Sequence, residues 1–73
     1  MKVSRRGELL FRAPKSIWSE NDIVVEAQGD GTARLLIVEG NHYPVDYVIE
    51  SERVFPTEEE ACTAAERLVI SPI

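Results

Sequence analysis

IVVEAQGDGTARLLIVE, residues 23–39, sets two β-branched apolar runs on either side of Gly29-Asp30-Gly31. Glycines and an aspartate between two such runs read as a hairpin turn. A three-residue loop with Gly31 in the left-handed position is a common hairpin form, and it sets Gln28 opposite Thr32. Ala27, Val25 and Ile23 then share a face with Ala33, Leu35 and Ile37. On the other face Glu26 lies opposite Arg34, and Val24 opposite Leu36. A two-residue loop shifts the pairing by one, sets Glu26 opposite Leu35 and turns the second strand over. The three-residue loop gives a cleaner core face and a cross-strand ion pair, so it is the register expected.

Beyond this hairpin, Gly40-Asn41-His42 reads as a second turn. Tyr43 to Glu50 follows with clear alternation: Tyr43, Val45, Tyr47 and Ile49 on one side, Asp46 and Glu50 on the other. With its apolar side on the core, this strand sets Ile37 near Val45 and Leu35 near Tyr47. Pro44 cannot donate to a ladder, so an edge position or an irregular start is expected. The next segment, VFPTEEEACTAAERLV, carries a helix signature. Thr57 is a good N-cap, and Glu60 completes a capping box. Glu58, Glu59 and Glu60 occupy the first turn, where the helix dipole favours negative charge. Ala61, Ala64, Ala65, Leu68 and Val69 form the expected inward stripe. Pro72 ends the helix within a few residues.

Ahead of the hairpin, the chain to about Ser19 is expected to be irregular and partly flexible. Pro14 blocks helix continuation, and Ala13 is pushed toward extended geometry. Glu8 to Arg12 is open to either a short strand or one helical turn. The expected class is α+β: a three- or four-stranded antiparallel meander, one C-terminal helix packed on one face, and an irregular basic N-terminal arm. The 73 residues make one domain, with the arm over 1–19, the sheet over 20–55 and the helix over 57–70.

Composition narrows the function. Cys62 is alone, which excludes an internal disulfide and suits a reducing compartment. Cys62 and His42 together fall short of the four ligands of a zinc site without help from carboxylates. The longest apolar run, Leu35-Leu36-Ile37-Val38, is far below a membrane span. Leu9-Leu10-Phe11 is too short for a signal-peptide core. A soluble cytoplasmic protein without a cofactor is expected.

Charge is divided unevenly. Residues 1–15 carry Lys2, Arg5, Arg6, Arg12 and Lys15 against Glu8 alone, net +4, while the rest of the chain carries net −9. Such asymmetry points to two kinds of surface facing two kinds of neighbour. The alternative is an arm docked on its own acidic body. On a loose leader, Lys2, Arg5 and Arg6 suit phosphate or carboxylate alike. No aromatic residue lies within the first ten residues, so base stacking is not indicated.

The second sheet face is the other candidate surface. Val24, Leu36, Val38 and Val48 are expected there among Glu26, Arg34, Asp46 and Glu50, a strip framed by charge as many interfaces are. Alternatively Leu9, Leu10, Phe11 and Trp18 fold back over it. Signs of catalysis are weak. His42 reads as a solvated turn residue and Cys62 as a small half-buried hydrophobe. Gly29-Asp30-Gly31 precedes a strand and lacks a third glycine, so it is no dinucleotide fingerprint.

The 73-residue length, the MKVSRR start and the small sheet with an acidic-capped helix resemble a small lytic-phage transcription regulator that binds host bacterial RNA polymerase. The resemblance implies contact with the amino-terminal part of the polymerase β′ subunit. It also implies interference with the σ factor at initiation and antitermination near the RNA exit channel with help from NusA. Lys2, Val3, Ser4, Arg5 and Arg6 would then touch polymerase, with Arg12 and Lys15 extending the same basic segment. The expectation is a monomeric, non-catalytic binder of the host cytoplasm with little affinity for free nucleic acid or membrane. Two other readings stand beside it. An acidic decoy that imitates DNA draws on the −9 body, and a small accessory subunit needs no chemistry of its own.

Overall fold

A computed structural model describes residues 2–3, 7–16, 19–41, 43 and 47–69. Strand β1 is Lys2–Val3, β2 Leu9–Pro14, β3 Asn21–Ala27, β4 Ala33–Glu39 and β5 Tyr47–Phe55; helix α1 is Glu58–Val69. The sheet is antiparallel with the order β1-β5-β4-β3-β2. The four longer strands are therefore a meander in chain order, with α1 packed on one face and the two-residue β1 beside β5.

The β3–β4 hairpin takes the expected register. Asn21 pairs with Glu39, Ile23 with Ile37, Glu26 with Arg34 and Ala27 with Ala33. At its turn the Gln28 amide donates to the Thr32 carbonyl at 3.0 Å. Gly29 and Gly31 both sit at positive φ, +90° and +94°, where a Cβ would crowd the backbone. Asp30 accepts from the Thr32 backbone and hydroxyl, which holds the three-residue loop closed.

Two departures from alternation shape the sheet. The expected irregular leader contains β2, so of the two forms open to Glu8–Arg12 it is the strand that forms, over Leu9–Pro14. A bulge between Leu9 and Phe11 interrupts its pairing with β3. Because of the extra residue, adjacent Leu10 and Phe11 both pack on the helix side while Leu9 packs on the opposite face. The second bulge lies in β5, where Ile37 pairs with Ser51 but Val38 with Ile49.

This second bulge belongs to a strand that runs later than expected. Sheet pairing continues to Phe55, and Leu35 faces Arg53 rather than Tyr47. Tyr47 and Ile49 join Val24, Leu36 and Val38 on the face away from the helix, the reverse of the expected orientation. Val45 and Pro44 lie outside the described residues, as does the turn His42.

On the helix side, Ile23, Val25, Ala33 and Leu35 enclose Ala61 and Ala65. The alanines let the helix backbone approach the sheet closely. Phe55, Cys62, Ala64 and Val69 complete this layer, whereas Leu68 is 45 % exposed and leaves the expected stripe. Thr57 caps the helix: its Oγ1 accepts from the Glu60 amide at 3.1 Å and donates to the Glu60 carboxylate.

Candidate functional site

The face away from the helix is closed, and it encloses charge. Val24, Leu36, Val38 and Tyr47 are fully buried there, and so is Glu26. An isolated carboxylate in such a place would be costly; it is tolerated only when paired and hydrogen-bonded. Glu26 meets both conditions. Arg34 on β4 donates to its Oε1 at 2.9 Å, and the Tyr43 hydroxyl donates to Oε2 at 2.8 Å. Tyr47 approaches the same oxygen at 3.4 Å. The other arm of the Arg34 guanidinium donates to Glu52 at 2.8 Å, toward solvent. Burial alone would lower the Arg34 pKa. Hydrogen bonds to Glu52 and Glu26, and their charges, outweigh it and raise the value.

The basic segment is tied to this cluster. Strand β2 sets Arg12 opposite Val24, on the same face. Its Nε donates to Asp22 at 2.9 Å, and another guanidinium nitrogen donates to the Gly40 carbonyl at 3.2 Å. The guanidinium lies 5.0 Å from the Tyr43 ring centre, a cation–π contact. Tyr43 in turn packs against Tyr47, with ring centres 4.8 Å apart. Arg12, Tyr43, Glu26, Arg34 and Glu52 thus form a continuous polar chain from the β2 edge to β5.

The other residues of the candidate surface fall differently. Lys2 and Val3 form β1, paired with Val48 and Tyr47 at the far side of the sheet from β2. Lys15 is exposed at the end of β2, where its amide donates to the Asn21 carbonyl. Ser4, Arg5 and Arg6 lie outside the described residues, as does Trp18. Two described parts of the leader, Lys2–Val3 and Leu9–Pro14, are therefore paired into the sheet. Glu26 opposite Arg34 was legible as an ion pair. The two tyrosines that complete its shell lie on the face opposite to the one their alternation predicts, although a glutamate between Val25 and Ala27 signals a need for buried donors.

Chemically, the cluster is saturated. Among the described residues no buried side-chain nitrogen or oxygen lacks a hydrogen-bond partner. Within the same residues no group of three or more His, Cys, Asp or Glu side chains is placed to hold a metal ion, and no helix is long and apolar enough to cross a membrane. Burial pushes the Cys62 thiol up, and the charges of Glu66 and Glu58 add to the effect. A raised thiol is a poorer nucleophile at neutral pH. Compared with known protein families, with curated proteins and with solved structures, the chain matches none.

Proposed function

We propose that this chain is a non-catalytic regulator that acts by attachment, and that its partner is bacterial RNA polymerase. The observation that carries the reading is the saturated interior. Glu26, Arg34 and the buried tyrosines are spent on one another, and Cys62 is held as a thiol, so recognition falls to the surface. That surface is divided in sign: a leader of net +4 joined to a body of net −9. Arg12 belongs to the scaffold of the basic segment, fixed by Asp22 and Tyr43. Lys2, Val3, Ser4, Arg5, Arg6 and Lys15 are its contact residues. The polymerase β′ amino-terminal region, competition with σ at initiation, and antitermination with NusA follow from the resemblance and complete the proposal.

The test is binding of the purified full-length chain to bacterial RNA polymerase core, followed by transcription in vitro. Micromolar or tighter capture, lost with Arg5→Ala plus Arg6→Ala while the melting curve is unchanged, is expected. Polymerase that fails to bind, or binds the double variant equally well, overturns the reading. Free single-stranded RNA should bind weakly, because a net charge of −5 repels the backbone.

A further inference from the structure

Beyond its contact with β1, the outer side of β5 is unused by anything described so far. β1 pairs only with Tyr47 and Val48, so Ser51–Phe55 has no strand on its outer side among the described residues. Ser51, Glu52, Arg53 and Val54 are exposed. Between this edge and α1 lies a groove of about 410 Å³, lined by Ile37, Phe55, Ala64 and Leu68 together with Arg53 and Arg67. Among the described residues, the two large apolar side chains left most exposed both flank the edge: Leu68 at 45 % on the helix side, Val54 at 57 % on the other face. The Arg53 guanidinium stacks 4.8 Å from the Phe55 ring centre. Neither Arg53 nor Arg67 makes an ion pair within the described residues.

We propose that this edge receives an extended peptide segment of a partner protein, added to β5 as a further strand, with an apolar side chain in the groove and a carboxylate held by Arg53 and Arg67. Strand addition takes affinity from the open backbone edge and specificity from pockets that read alternate side chains. Here the open edge, the apolar groove and the exposed Val54 and Leu68 coincide. Two arginines that make no ion pair among the described residues, on a chain of net charge −5, favour an anionic partner group. The planar guanidinium fork matches a carboxylate. A second copy of the chain fits poorly. Antiparallel pairing of β5 with itself about its exposed centre sets Glu52 opposite Glu52 or Arg53 opposite Arg53, which is repulsive. Ser51–Phe55 lies beyond Tyr47 and Val48, the part of the same β5 edge that Lys2 and Val3 occupy, and Arg53 and Arg67 are outside the basic leader, so the proposal does not depend on what that leader contacts.

The experiment titrates the full chain with two fluorescent peptides, acetyl-Asp-Val-Ile-Val-Asp-amide and its counterpart with lysine in place of both aspartates. The acidic peptide should saturate below about 1 mM and bind roughly tenfold more tightly than the lysine peptide. Amide shifts should appear at Ser51–Phe55 and near Ala64–Leu68. Arg53→Glu and Arg67→Glu change exposed side chains and should leave the fold intact by circular dichroism while reversing the preference. No saturation, equal binding of the two peptides, or shifts confined to β2 overturns the proposal. Concentration-dependent dimerisation with shifts at Ser51–Phe55 also overturns it, assigning the edge to a second copy.

Discussion

Glu26 and Arg34 face each other across the β3–β4 ladder and bond at 2.9 Å, with the Glu26 side chain 1 % and the Arg34 side chain 10 % exposed. The pair is the hinge of the buried polar chain: the carboxylate gathers Tyr43 and Tyr47, and the guanidinium reaches out to Glu52. Removing one partner of a buried pair leaves an uncompensated charge, which costs far more than the pair itself contributes.

Arg34→Met should therefore destabilise by about 3–5 kcal/mol, because the enclosed Glu26 loses the cation that compensates it. Adding Glu26→Gln should recover part of that loss, since the amide oxygen still accepts from the tyrosines and no charge remains. Urea melts of the wild type, both single variants and the double variant form the cycle. Losses that simply add would show that the two residues do not depend on each other. The outer bond to Glu52 is half in solvent, so Glu52→Gln should change stability by at most about 1 kcal/mol.

The helix start is open to a simpler measurement. Thr57→Ala removes the acceptor of the Glu60 amide and should cost about 1 kcal/mol, read as a lower melting midpoint. Thr57→Ser keeps the hydroxyl and should stay within a few tenths of the wild type. Equal losses in both would mean that the methyl group, not the cap, carries the effect.

The hairpin and the helix were legible because each rests on local chemistry. Gly29 and Gly31 fix the turn, and the turn fixes the register of every pair from Asn21 to Ala33. Thr57 and Glu60 likewise mark a helix start within four residues. The face of β5 does not follow from apolarity alone. Tyr47 looks like a core residue for the helix side, yet its hydroxyl is needed near Glu26 on the other. The bulge at Glu50 then lets charged Glu52 and Arg53 continue as strand, beyond the alternation that ends at Glu50. β2 was obscured by Pro14 and by the adjacent Leu10 and Phe11, whose shared face requires a bulge that alternation does not reveal. Among the candidate contact residues, Arg12 was legible as basic, but its engagement with Asp22, Gly40 and Tyr43 depends on pairings far apart in the chain.

Alkaline pH should weaken the fold through two groups. Burial pushes the Tyr47 phenol above its ordinary value, the Glu26 charge adding to this and Arg34 opposing it. The fold thus favours the neutral phenol. Its contribution is complete below the unfolded value, about pH 10, and is lost as pH rises through the folded one. Cys62 has the same sign, from a lower start of about pH 8.5. Urea melts between pH 8 and 11 should show a steeper decline for wild type than for Cys62→Ala above pH 8.5. In the Cys62→Ala background, Tyr47→Phe should flatten the remaining decline above pH 10. Parallel curves for all three proteins would rule out both assignments.

Gly7 provides the sharpest steric test. A Cβ built there would overlap the Ala27 carbonyl oxygen and lie 2.7 Å from its carbon, both backbone atoms of β3. The neighbouring bond from the Ala27 amide to the Glu8 carbonyl, 2.9 Å long, holds β2 against β3 beyond the bulge. Gly7→Ala can be relieved only by moving one strand away from the other, so it should cost about 1–3 kcal/mol and expose the Ala27 amide to hydrogen exchange. Gly29→Ala meets nothing within 4 Å and strains only its own φ of +90°. It should cost about 1 kcal/mol and leave the Ala27 amide protected. Two variants equal in stability, with the Ala27 amide protected in both, would mean that β2 does not close on β3 at this point, and that Leu9 and Arg12 are not carried to the Glu26 face by the pairing described.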